Sequence, residues 1–109
     1  MARKSAVLVV LVTCGSAREA ERMARALVEK RLAACCNIVG SPITSIYRWK
    51  GKAERAKEVL LILKTTRVKF AALEKEIGRL HSYETPEIIA MQVAAGSKKY
   101  LDWVAGSTN

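Results

Sequence analysis

Apolar and polar positions change their period several times along this chain, and each change marks an element. Val7–Val12 is an unbroken Val/Leu run and reads as a strand. Ser16-Ala17-Arg18-Glu19 has the form of a capping box, with Ser16 as N-cap and Glu19 reaching back to it. Ala20, Met23, Ala24, Leu27 and Val28 follow at helical spacing, and Lys30 and Arg31 suit the negative end of that helix. From Leu32 to Trp49 the pattern is strand-like, with Gly40-Ser41-Pro42 marking a bulge or kink. Lys50-Gly51-Lys52 reads as a turn, and Val59–Leu63 as a second uninterrupted apolar strand.

A second helix is expected from Thr65 or Thr66, with Phe70, Leu73, Ile77 and Leu80 facing inward. Pro86 bars further helix, Ile88–Val93 reads as a strand, and a short helix from Ser97 carries Tyr100, Leu101 and Val104. The order βαββαβ plus a terminal helix predicts an α+β, ferredoxin-like sandwich: an antiparallel sheet with both main helices on one face. A length of 109 residues makes residues 1–109 a single domain.

Two consequences follow. Val7–Val12 and Val59–Leu63 lack the alternation of a half-exposed sheet, so both faces of the sheet are expected to be covered. Two helices cover only one, and a second copy of the chain is the economical cover for the other. Chain direction also gathers Cys14, the amino end of the Ser16 helix, the Trp49–Lys52 turn and the His81–Glu87 segment on one rim. That last segment, His81-Ser82-Tyr83-Glu84-Thr85-Pro86-Glu87, holds the only histidine and is the strongest candidate for a site.

Charge and cysteine content narrow the classes. Nineteen Lys and Arg against ten Asp and Glu leave a formal charge of +9, spread without a long block, as on solvated faces rather than a nucleic-acid stripe. No apolar run reaches the about 18 residues of a membrane span. Met-Ala-Arg-Lys-Ser before Ala6–Val12 has a faint signal-peptide look, but the apolar stretch is short and no cleavage motif follows. A cytoplasmic location is expected. The three cysteines form no C-x-x-C pair, so a closed structural zinc site is not expected. Cys35 and Cys36 read as small buried hydrophobes pointing to opposite faces.

On the rim, His81 sits at the carboxyl end of the second helix, where the dipole favours it, and imidazole is equally a common metal ligand. Glu84 and Glu87 are candidate oxygen donors, although a surface carboxylate often pairs with a Lys instead. Cys14 would add a thiolate and bias such a site toward copper or zinc. A Cys14–His81 nucleophile–base pair is conceivable, but nothing evident orients the base. Tyr47 and Trp49 read as aromatic packing in the sheet before base stacking. Nucleotide-binding and serine-hydrolase motifs are absent, and Val59–Leu63 carries no ring for stacking on RNA. No enzyme, and no specific nucleic-acid partner, is expected.

Leu32-Ala33-Ala34-Cys35-Cys36-Asn37-Ile38, Ile46-Tyr47-Arg48-Trp49-Lys50-Gly51-Lys52, Glu58-Val59 with Lys64-Thr65, His81-Ser82-Tyr83-Glu84-Thr85-Pro86-Glu87 and Tyr100-Leu101-Asp102-Trp103 resemble the CutA family of divalent-cation tolerance proteins. The likeness runs from about Val7 to Trp103. It implies a homotrimer of ferredoxin-like subunits with interlocked sheets, a long hairpin between the second and third strands, and a link to copper and other divalent cations. In some bacterial members the copper ligands are a strand-one cysteine and two consecutive histidines. Those positions hold Val12, Leu80 and His81 here, and Ser82 replaces the proline that usually follows. The resemblance therefore leaves weak metal binding to His81 with Glu84, and to Cys14 as a neighbour of the lost cysteine. Two other functions fit the same pattern: a trimer that signals by binding a small molecule or anion at the Ser16 helix terminus, and a trimeric scaffold for partner proteins.

Overall fold

A computed structural model describes residues 6–109; the charged opening Met1–Ser5 lies outside the described residues. The elements are β1 (Val7–Cys14), α1 (Ala17–Glu29), β2 (Cys35–Ile38), β3 (Ile43–Trp49), β4 (Lys52–Thr66), α2 (Arg67–Leu80), β5 (Ile88–Gln92) and α3 (Lys98–Ser107). All pairings are antiparallel, in the order β2-β4-β1-β5, with β3 also paired to β4. This is the expected ferredoxin-like α+β arrangement.

The expected interruption at Gly40-Ser41-Pro42 splits one strand into β2 and β3. Ile38 stands opposite Leu61 and Ile43 opposite Glu58, so four residues of the outer strand face two of β4. Such a bulge bends the strand and turns it away from the sheet plane. The other difference from the sequence reading is the length of β4. Its polar half, Lys52–Lys57, is strand because it pairs with β3, although nothing in its pattern marks a buried face. Only Val59–Thr66 lies against β1, so the remainder of the hairpin projects as a two-stranded arm and stretches the molecule to 46 Å along its long axis. Lys50 and Gly51 at its tip both have positive φ, which matches the right-handed twist of a two-residue hairpin.

The main core lies between one sheet face and the helices. Leu8, Val10, Val12 and Cys14 of β1 and Val59, Leu61 and Leu63 of β4 meet Ala20, Met23 and Leu27 of α1 and Leu73 and Ile77 of α2. Val28, expected inside, is 38% exposed, while Glu19 is buried in its stead. Cys36 packs on this core and Cys35 faces the other way, beside Tyr100.

The second sheet face is covered in part by an element the two-helix reading did not count. α3 lays Leu101 and Val104 on Val7 and Ala34 at one end. Beyond it Val9, Leu11, Leu60 and Ile62 are only half-buried, and Ile89 and Met91 are 52% and 48% exposed. Cross-strand pairing joins them: Leu11 stands between Ile62 and Ile89, and Val9 beside Met91. The result is a contiguous apolar surface.

Core filling sets the expected mutational costs. Replacing Ile77, fully buried, by Ala is expected to destabilise the protein by about 2–5 kcal/mol in urea unfolding. Val68→Ala, at a position 88% exposed, is expected to stay within about 0.5 kcal/mol.

Candidate functional site

The rim is built where β1 ends, α1 begins and α2 gives way to Ser82–Glu87. His81 is the residue that caps α2: its backbone N–H donates to the Ile77 carbonyl at 2.8 Å, and its backbone then turns extended. Its ring is thereby driven inward, with no side-chain exposure. Nε2 lies 2.7 Å from the Thr13 carbonyl oxygen, and the Tyr83 backbone N–H lies 3.0 Å from Nδ1. A carbonyl only accepts and an amide N–H only donates, so the proton sits on Nε2 and Nδ1 accepts. Both ring nitrogens are engaged, and the Tyr83 ring tilts against the imidazole at 4.6 Å.

Glu19 is the second member of this buried group. Ser16 caps α1 as expected, accepting the Glu19 N–H at 3.1 Å. The other half of the capping box is not made. Instead of returning to Ser16, the Glu19 carboxylate accepts the Ser82 N–H at 2.8 Å and the Gly15 N–H at 3.4 Å, with His81 Nδ1 3.8 Å away. Burial by itself raises this carboxyl, but the hydrogen bonds it accepts from the Ser82 backbone and side chain and from the Gly15 N–H hold it below the usual 4.5. The expected N-terminal cap is thus also the clasp that fastens the His81 segment to α1.

Tyr83 is half-buried. Its hydroxyl donates to Glu58 Oε2 at 2.7 Å. Burial, followed by the Glu58 hydrogen bond and charge and the charges of Glu19 and Tyr47, pushes the phenol well above its ordinary value, so it remains a donor. Glu58 is itself buried at the end of the strand segment that pairs with β3. Together Thr13, Glu58 and Tyr83 floor a cleft of about 720 Å³, with β3 from Ser45 to Trp49 on one side and Glu84–Glu87 on the other.

The topology did bring the rim residues together, with one adjustment: Trp49 borders the cleft, while Lys50 and Gly51 lie further out at the arm tip. The expected donors do not form a ligand set. Cys14 is fully buried, and burial, with the Glu19 and Glu58 charges, raises its thiol to about 12. It is a protonated core thiol, neither ligand nor nucleophile. His81 has no free nitrogen. Glu84 and Glu87 are exposed on the cleft wall, and Glu87 has no ion-pair partner among the described residues. No group of three His, Cys, Asp or Glu side chains among the described residues is placed to hold a metal ion. The residues present do not fit a resident copper or zinc ion. Glu19 and Glu58 were missed as rim residues; an acid standing immediately before the apolar run Val59–Leu63 was the available signal for the latter.

A family model described as CutA1 divalent ion tolerance protein matches residues 8–107. This chain belongs to the CutA1 family. The divalent-cation tolerance protein CutA of Thermus thermophilus is 48% identical over 100 residues, 92% of this chain and 96% of that protein. Its crystal structure, a divalent cation tolerance protein (Cut A1), superposes with a TM-score of 0.92 at 47% identity, covering 94% of this chain and 99% of that one. The periplasmic divalent cation tolerance protein CutA of Archaeoglobus fulgidus gives a TM-score of 0.90 at 43% identity over 94% of this chain and 99% of its own. The CutA1 fold and the motif-based resemblance are therefore established for this chain.

The Glu19 clasp carries a definite pH dependence. Its folded carboxyl lies lower than its unfolded one, so its contribution is fully present above about 4.5 and is lost as the pH falls through the lower folded value. Glu19→Gln is expected to cost about 1–2 kcal/mol at neutral pH and to flatten the acid limb of the stability curve. Glu21→Gln, 69% exposed at its side chain, is expected to leave that limb unchanged in thermal unfolding read by circular dichroism.

Proposed function

We propose that this chain works in the cytoplasm as a non-enzymatic homotrimer in the tolerance of, and response to, divalent cations, copper among them. Membership of a family of divalent ion tolerance proteins supports the cation role. The observation that carries the assembly is the apolar sheet surface formed by Leu11, Ile62, Ile89 and Met91 beyond the reach of α3. A face of this kind left in water forgoes roughly 25 cal/mol for each Å² of apolar area. A second feature favours a ring over a two-fold dimer. The projecting arm, with Ile46 74% exposed, presents a different surface from the sheet face, and head-to-tail contact between unlike patches gives a ring when the rotation between copies closes.

The non-enzymatic reading rests on the chemistry of the only Cys–His neighbourhood on the rim. A nucleophile needs a free base beside it, whereas the Cys14 thiol is buried and protonated and both nitrogens of His81 are already bonded. Divalent cations meet the protein as transient partners at the rim, where Glu84 offers the accessible carboxylate, and His81 contributes by holding that segment in place.

Size-exclusion chromatography with light scattering at micromolar concentration is expected to give three times the 12.0 kDa chain mass. Ile89→Glu, at a half-exposed position, is expected to release folded single chains. A well-folded single chain from the unsubstituted protein at that concentration removes the trimer. Equilibrium dialysis against copper(II) is expected to show only weak, chelator-reversible uptake; one ion per chain retained against a chelator would contradict the transient contact.

A further inference from the structure

The closed rim depends on the protonation state of one ring. His81 Nε2 donates to the Thr13 carbonyl at 2.7 Å, and Nδ1 accepts the Tyr83 amide N–H at 3.0 Å. The imidazole that fastens the Ser82–Glu87 segment is therefore the neutral one. An imidazolium carries a proton on both nitrogens and has no lone pair left for Tyr83. The Glu19 carboxylate stands beside the same nitrogen, with Oε2 3.8 Å from Nδ1. We propose that His81 is a proton-gated latch: protonation turns Nδ1 from the Tyr83 amide to Glu19 and releases the Ser82–Glu87 segment from the end of β1.

The ring has no side-chain exposure, so water replaces neither partner while the segment is closed. Two N–H groups facing each other in such a place are costly, and the Tyr83 amide regains a partner by swinging out to solvent. The change spreads through Tyr83. Its ring leans on the imidazole at 4.6 Å and its hydroxyl bonds Glu58, so a displaced Tyr83 loosens both contacts. Glu84–Glu87, one wall of the cleft, moves with it.

The other titratable groups of the rim do not compete for the proton. Burial and the neighbouring carboxylates raise the Cys14 thiol on β1 to about 12, and burial with the Glu58 contact raises the Tyr83 phenol, so both stay neutral. Glu58 on β4 is engaged by the Tyr83 hydroxyl, and Arg79 on α2 is turned to Glu76. Glu19 on α1 is held below 4.5, so it is ionised throughout the range in which an imidazole changes charge. The closed form binds one proton fewer than the released form, and falling pH therefore favours release.

This latch is independent of whether divalent cations act through the protein, and its test uses none. The imidazole ¹⁵N shifts of His81 and the hydrogen-exchange protection of backbone amides are followed in the assembled protein from about pH 8 to about pH 5. A ring protonated at Nε2 alone is expected at the upper end. As the ring takes up its second proton, protection of the Tyr83 amide is expected to fall at least about tenfold with the same midpoint. Leu61, in the fully buried core, is expected to keep its protection. Glu19→Gln is expected to move the transition to lower pH by roughly one unit, because the imidazolium loses its counter-charge. Four results overturn the proposal: a ring still neutral at the lower end, Tyr83 protection that ignores the ring's titration, an unshifted transition in Glu19→Gln, or simultaneous loss of protection at Leu61. The last marks unfolding of the whole domain. Where Glu19→Gln fails to fold, the coincidence of ring and amide in the unsubstituted protein decides.

Discussion

One buried imidazole holds the rim together. His81 joins the end of β1, through the Thr13 carbonyl, to the start of the Ser82–Glu87 segment, through the Tyr83 amide. Neither backbone group has a sheet or helix partner at that point, and each is satisfied by a ring that can donate on one side and accept on the other. A side chain with a single function, such as Lys or Asp, would leave one of the two unsatisfied in a buried place. Glu19 reinforces the join from α1 by accepting the Ser82 amide. The consequence is a rigid floor on which Tyr83 and Glu58 are set, and all of the accessible chemistry lies above it.

That arrangement explains why the family's divalent-cation role does not translate into a ligand cluster here. With Val12 and Leu80 at two of the positions where some relatives are expected to place copper ligands, the remaining histidine is committed to backbone. Cys14 adds a protonated thiol on the core side of β1. Metal-binding residue types are present, but their lone pairs are used or covered. What stays open to solvent at the rim is carboxylate and aromatic surface.

The arm and the open sheet face are the other half of the design. The bulge between Ile38 and Ile43 bends the outer strand, and β4 continues past the sheet to support it. A two-stranded ribbon is marginal on its own in water. Contact between copies of the chain would both support the arm and cover the apolar face that α3 leaves bare, so the two exposed features answer one another.

Much of this was written into the order of residues. The apolar runs Val7–Val12 and Val59–Leu63, the helical spacing of Met23, Leu27, Leu73 and Ile77, and Ser16 as N-cap are local signals, and local periodicity reports local structure. Element order then placed Cys14, His81 and Tyr83 on a common rim, because chain direction in an antiparallel sheet is set by topology. The polar strand Lys52–Lys57 was not legible, since a ribbon wet on both faces has no alternation to display. Nor was the fate of individual side chains on the rim. Whether a His, Cys or Glu is available to a ligand depends on which backbone amides and carbonyls lie within about 3 Å of it. Those neighbours come from residues as far apart as Thr13 and His81, and only the packed chain brings them together.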